Sequence, residues 1–221
     1  MRSGSYPRHW RQGQYIGSSV VYSGKEGSNR IHFLLGKISG KFVGLVDSSY
    51  GSTTSTSGAF TMNTSNTNSG GWGSSQMRSK VLGSASSPTS PTANTLMAAL
   101  PSDLRAVMKS CTKYTDNNGG GNTASNVSST TDYLFLLSEY EVFATHQNCN
   151  DAEPNYQAQY DYFKAGNSKV ANKHSATGTA AVWWLRSPRY YGTYFCEVSS
   201  SGSLDSNNAY GAYGVVPGFV V

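Results

Sequence analysis

Reaction chemistry needs recognisable parts: a nucleophile beside a base, paired carboxylates, clustered metal ligands or a glycine-rich phosphate cradle. The chain spells no P-loop, no GxGxxG, no HExxH and no GxSxG. His9, His32, His146 and His174 are scattered, with no pair at helical spacing, so surface or hydrogen-bonded structural roles are expected of them. Cys111, Cys149 and Cys196 are an odd number at separations that match neither a CxxC zinc site nor a secreted disulfide framework. Buried or free thiols are expected, with one bridge open to them in an oxidising compartment. Glu139, Glu141, Asp151, Glu153 and Asp161 form the one acidic cluster, and paired carboxylates can do acid–base work. A solvated helix face explains them more cheaply.

One triplet, Glu153-Pro154-Asn155, is the spelling with which calcium-dependent sugar-binding lectins hold a Ca²⁺ ion and sugar hydroxyls. Calcium takes 6 to 8 oxygen ligands, no Trp-Asn-Asp partner follows, and Pro154 is an ordinary first-turn residue of a helix. No metal, cofactor or catalytic site is therefore expected, and the chain reads as a non-enzyme.

The residues that do form a pattern lie at the C-terminal end, from Trp183 to Val221. Trp183–Pro188 and Gly214–Val221 are walls of strand-forming and turn-fixing residues. Between them stand Tyr190, Tyr191, Tyr194, Tyr210 and Tyr213 of the chain's 15 tyrosines, amid Ser, Gly and Asn and few charges. This is the composition of a binding surface: Tyr gives rigid amphipathic area with few rotamers to freeze, and Ser, Gly and Asn give adaptable hydrogen bonding. The candidate binding residues are Arg189, Tyr190, Tyr191, Thr193 and Tyr194 on a first turn. On a second they are Ser199, Ser201, Asp205, Ser206, Asn207, Asn208, Tyr210 and Tyr213. Cross-strand pairing in a hairpin would account for Tyr194 and Phe195. It accounts poorly for Tyr190, Tyr191, Tyr210 and Tyr213, which stand in Gly- and Asn-punctuated turns.

Such turns need a frame. Apolar runs at Tyr15–Tyr22, Ile31–Leu35 and Lys41–Val46 predict short opening strands. Ser48–Ser75 is nearly all Ser, Thr, Asn and Gly, yet Phe60, Met62 and Trp72 predict a long loop pinned to the core. Short helices are predicted over Ser74–Leu82 with a Ser cap, over Thr92–Leu100, and over Ser102–Lys109 with Leu104, Val107 and Met108 on one face. A second polar stretch, Thr115–Thr131, leads to a buried strand at Tyr133–Leu137, then a helix at Tyr156–Ala165 presenting Tyr156, Tyr160 and Phe163. Ala181–Leu185, Tyr194–Val198 and Val215–Val221 read as closing strands. Strands, then helices, then strands, without βαβ alternation, predict an α+β domain with an antiparallel sheet and many loops. Residues 1–14 read as an arm and 15–221 as one domain carrying a variable region at 183–221.

Composition narrows the function classes. Only 13% of the 221 residues are charged, with 37% hydrophobic and 12% aromatic, so a sizeable core under an uncharged polar surface is expected. The net charge of +5 is concentrated in Arg2, Arg8, Arg11, Lys25 and Arg30. The tyrosine-rich end holds only Arg186 and Arg189, which is too little for nucleic-acid binding. No run of about 18 apolar residues and no apolar leader is seen, so neither a membrane span nor a standard export signal is expected.

Several blocks in order carry a family resemblance: Gly71-Trp72 with Met77-Arg78, Leu100-Pro101 with Leu104-Arg105, Leu134–Ser138, Glu141–Phe143, Ala165–Lys169, the Trp183–Pro188 run WWLRSP, and Gly214-Val215-Val216-Pro217-Gly218-Phe219. The chain from about residue 31 onward resembles a large family of gut-bacterial and phage proteins. The resemblance implies a C-type-lectin fold of the kind shared with formylglycine-generating enzymes. It also implies kinship with variable proteins of diversity-generating retroelements, in which adenine-directed mutation of a C-terminal repeat alters a display surface. Val216 departs from the pattern, since many relatives have Arg before the Pro. A protein or glycan ligand on a host or neighbouring cell is the expected partner, with a virion or bacterial surface as the setting. Two rivals are a copper oxidase on the formylglycine-generating-enzyme fold and a structural module of a larger surface or tail protein.

Overall fold

Small sheets, each built from short strands, carry the chain. The computed structural model describes residues 21–26, 29–33, 36–38 and 41–44 as strand backbone, and residues 60–93, 95–117, 124–149, 153–173, 178–190 and 192–221. The expected arm at 1–14, and His9, Asp151, His174 and Tyr191, lie outside the described residues.

Strands β1 (Val21–Glu26) and β2 (Asn29–Phe33) form a hairpin, as do β3 (Gly36–Ile38) and β4 (Lys41–Gly44). Strands β5 (Cys111–Asp116) and β6 (Val127–Asp132) pair along their whole length, and β7 (Leu134–Phe135) follows. Then come β8 (Ala171–Lys173), β9 (Ala180–Ala181), β10 (Trp183–Pro188), β11 (Tyr194–Val198), β12 (Leu204–Asn208) and β13 (Gly218–Val220). The sheet orders are β1-β2-β13-β7, β10-β11-β12, β3-β4-β8-β9 and β5-β6. Because β13 lies between β2 and β7, the last strand sews the early hairpin to the middle of the chain. Short helices α1 (Gly71–Ser74), α2 (Leu96–Ala99), α3 (Ser102–Val107), α4 (Glu139–Phe143) and α5 (Asp161–Lys164) fill the connections. The architecture is thus mixed α and β, with small antiparallel sheets and few short helices; only the β4–β8 pair is parallel among the described strands.

Several boundaries differ from expectation for identifiable reasons. The segment expected as one helix over Ser74–Leu82 divides into α1 and a π-helical turn, Met77–Leu82, that ends on left-handed Gly83. Ser74 closes α1 rather than capping a helix. Ser102 is the first helical residue of α3 and Pro101 its cap; Val107 points outward, 52% exposed, while Leu104 and Met108 are buried. The helix expected over Tyr156–Ala165 is broken because Tyr160 is extended and its N–H donates to the Glu141 carbonyl at 3.0 Å, outside any helix. Thr115–Thr131, expected as loop, contributes to the β5–β6 hairpin, and Ser and Thr suit a strand with one wet face. The close of the chain is strand only over Gly218–Val220.

The core holds Trp72, Trp183, Trp184, Phe60, Phe135, Phe195 and Phe219, all essentially without exposure. Phe60, Met62 and Trp72 are buried, so the polar loop's expected anchors do pin it. At Gly71 the backbone has φ 52°, and a Cβ there would stand 1.8 Å from the Asp116 carbonyl. Only glycine lets α1 approach β5 this closely.

Candidate functional site

The tyrosine-rich end is built on the β10-β11-β12 sheet. All residues of β10 are buried, as are Phe195 to Val198 of β11. Trp184 Nε1 donates to the Phe60 carbonyl at 2.8 Å, and Phe60 and Tyr213 exchange backbone hydrogen bonds at 2.7 and 3.0 Å. The buried Asn68 amide donates to both the Arg189 and Tyr194 carbonyls, at 3.1 and 2.9 Å, closing the turn between β10 and β11. The Ala209 N–H donates to the Thr193 carbonyl at 3.2 Å, and the Ala209 carbonyl accepts from the Asn63 N–H at 2.9 Å. These bonds set Thr193 beside Ala209 and tie Arg189, Tyr194 and Tyr213 to a third strip, residues 60–69. That third strip gives no compositional sign in the sequence beyond its polar loop character.

Tyr190 and Tyr210 project outward, 37% and 52% exposed. The Tyr190 backbone is held by an N–H bond to the Asn148 carbonyl at 2.7 Å. Tyr213 belongs more to the frame than expected: its ring meets Trp184 edge-on at 4.9 Å and its hydroxyl accepts from Asn207 Nδ2 at 2.7 Å. Tyr194, half-buried, pairs with Asn208 across the sheet and lies under the Arg189 guanidinium at 5.8 Å. Arg189 Nη1 also donates to Ser206 Oγ at 3.0 Å. Thr193, Ser206, Asn207 and Asn208 are half-buried, and Asp205 is exposed.

The second turn is therefore partly strand: β12 carries Asp205 to Asn208, and only 209–213 is a loop beside the first turn. Ser199 and Ser201 lie at the other end of the β11–β12 hairpin, sharing a hydroxyl contact at 2.9 Å. Five-residue strands at roughly 3.3 Å per residue put them about 16 Å from the tyrosine loops, so these two serines are not brought together with the rest.

The acidic cluster divides: Glu139, Glu141 and Glu153 are buried rather than on a solvated face, whereas Asp161, at the start of α5, is exposed. Ser138 and Glu141 form a capping box on α4, a signal legible as Ser-x-x-Glu before an apolar run. Glu141 also takes a two-pronged ion pair from Arg186, at 2.5 and 2.9 Å, and a contact from Lys113 Nζ at 3.3 Å. Burial alone would raise the Glu141 carboxyl, but the Arg186 and Lys113 charges prevail and hold it at about 2. Glu153 accepts from the Ser187 hydroxyl at 2.5 Å and the Asp116 N–H at 3.1 Å. Burial still lifts it to about 7. Glu139 accepts from the Asn148 and Cys149 N–H groups, at 3.1 and 2.9 Å on one oxygen, which the Cys196 thiol also approaches at 3.5 Å. All three cysteines are buried and none is joined in a disulfide. Burial, then the charges of Glu153 and Glu139, pushes the Cys149 thiol far up, and burial with Glu139 and Glu153 does the same to Cys196. Among the described residues no group of three His, Cys, Asp or Glu could hold a metal ion, and no helix is long and apolar enough to cross a membrane.

A frame of small sheets with outward tyrosines at one end thus defines the chain's conspicuous surface. The sequence matches, over residues 53–221, the family described as a domain of unknown function, DUF6273, and the chain belongs to that family. No curated protein and no solved structure matches it.

Proposed function

We propose that the chain is a non-enzymatic binding protein with a C-type-lectin fold, displaying a Tyr/Ser/Asn/Gly-rich surface to a protein or glycan on a host or neighbouring cell. The setting would be a phage particle or bacterial surface, and the display would be diversified by a retroelement. One observation carries the reading: Tyr190 and Tyr210 are exposed on loops joined by the Thr193–Ala209 backbone hydrogen bond and fastened to the fully buried strand β10. Large aromatic rings held in water by a rigid frame lose little entropy on binding, and such rings supply most of the energy at recognition surfaces. Asn207, Asn208 and Ser206 stand beside them as adaptable polar groups.

The copper-oxidase alternative has one observation in its favour, the approach of Cys149 and Cys196 to the shared carboxylate of Glu139. Burial and the charges of Glu139 and Glu153 raise both thiols, so copper binding at this pair would have to release their protons. The test is labelled full-length protein applied to a glycan array and to gut-bacterial cells. Saturable binding is expected; stoichiometric Cu(I) uptake without any saturable binding would overturn the reading. Diversification has its own test, a near-copy of the gene's 3′ end nearby that differs at adenines.

A further inference from the structure

Glu197 stands apart from the other buried glutamates. It is 4% exposed, its Oε2 has no hydrogen-bond partner, and no described Lys or Arg pairs with it. By contrast Glu139, Glu141 and Glu153 each accept several hydrogen bonds. Across the sheet Glu197 is directly opposite Asp205, so the two carboxylates share one face of the β11–β12 hairpin. Asn207, two residues along the same face, donates to the Tyr213 hydroxyl, and the Tyr213 ring leans on Trp184, the partner of Glu197 on β10. The fields of Glu197 and Asp205 both reach the Tyr213 hydroxyl, which burial and these charges together raise. Burial, then Asp205, likewise lifts the Glu197 carboxyl to about 7. A like-charged neighbour directly opposite costs stability, and nothing in the described fold recovers it.

We propose that Glu197, Asp205, Asn207 and Tyr213 form a subsite for an organic cation, the ammonium or guanidinium of a Lys or Arg presented by a protein ligand. This rests on the binding reading above and adds the chemistry of the partner. An incoming cation gives the enclosed carboxylate a counter-charge that no described Lys or Arg supplies, and the Tyr213 edge of the site supplies an aromatic rim that such cations favour. A hard metal ion suits the place less, since two carboxylates supply few of the oxygens it takes. Arg189, the nearest guanidinium in sequence, is committed to the opposite face of β12 through Ser206.

The test is NMR titration of the carboxyl carbons of the full chain at pH 8 with N-acetyl-arginine amide, N-acetyl-lysine amide, the neutral N-acetyl-glutamine amide and calcium chloride. A saturable shift of Glu197 and Asp205 with the two cations alone is expected, weakened about tenfold or more by Glu197→Gln and by Asp205→Asn. Glu197→Gln removes a strained charge and is expected to fold; its melting curve checks this. Response to calcium only, or to none of the four, overturns the proposal. Tyr190→Ser with Tyr210→Ser is expected to leave this shift intact while losing cell binding. If instead Glu197→Gln binds cells as tightly as wild type, the cationic subsite fails while the tyrosine surface stands.

Discussion

Three glutamates of identical chemistry occupy three different fields. Glu141 is held at about 2 by Arg186 and Lys113 against the pull of burial, whereas Glu153 and Glu197 are lifted by burial to about 7. With an ordinary value of 4.5 in the unfolded chain, Glu141 adds stability as pH rises from about 2 to 4.5. The other two do the reverse: between 4.5 and about 7 the folded chain holds protons that the unfolded chain releases, so stability falls as pH rises. The melting temperature is expected to peak near pH 4.5 to 5 and decline toward 7.5, with a shallower decline in Glu197→Gln. Thermal melts at fixed ionic strength check this, and a melting temperature that climbs from pH 5 to 7.5 contradicts it. None of this was legible in the sequence, where Glu141 and Glu153 read as part of a wet helix face and Glu197 as one residue of the strand Tyr194–Val198. What hid it is that Arg186 lies 45 residues from Glu141, and Lys113 lies 28 away.

At the scale of elements, the sequence carried strand identity better than strand limits. Tyr194–Val198 matches β11 because its apolar pattern and its backbone pairing agree. β12 escaped notice because Leu204–Asn208 is nearly all polar; it is a strand through its pairing with β11, which no local propensity reveals. The same holds for β5 and β6. Asn68, unremarkable among Ser, Thr and Gly, proves to be the clamp on the β10–β11 turn. Asn68→Ala deprives two carbonyls of a buried donor and is expected to cost about 1 to 3 kcal/mol. Urea denaturation measures it, and an unchanged midpoint would show that the turn holds without the clamp.

For the whole molecule, the mixed α and β character and the heavy loop content were readable from the order of apolar runs, and so was the pinning of the long polar loop by Phe60, Met62 and Trp72. Of the candidate surface, Thr193 and Ala209 are joined by a backbone hydrogen bond, while Ser199 and Ser201 fall at the far end of the hairpin and Tyr213 turns into the frame. The division of labour between frame and surface can be measured by removing one or the other. Trp184→Ala, which empties a fully buried site and removes one of the two hydrogen bonds to the Phe60 carbonyl, is expected to cost about 3 to 5 kcal/mol.

The most direct test is the binding isotherm of the Tyr190→Ser, Tyr210→Ser double variant against whichever cell or glycan holds the wild-type chain, read beside its melting curve. Unchanged melting with binding lost is the expected result. Binding retained at wild-type strength, or a collapse of the fold on losing two exposed rings, would contradict the account.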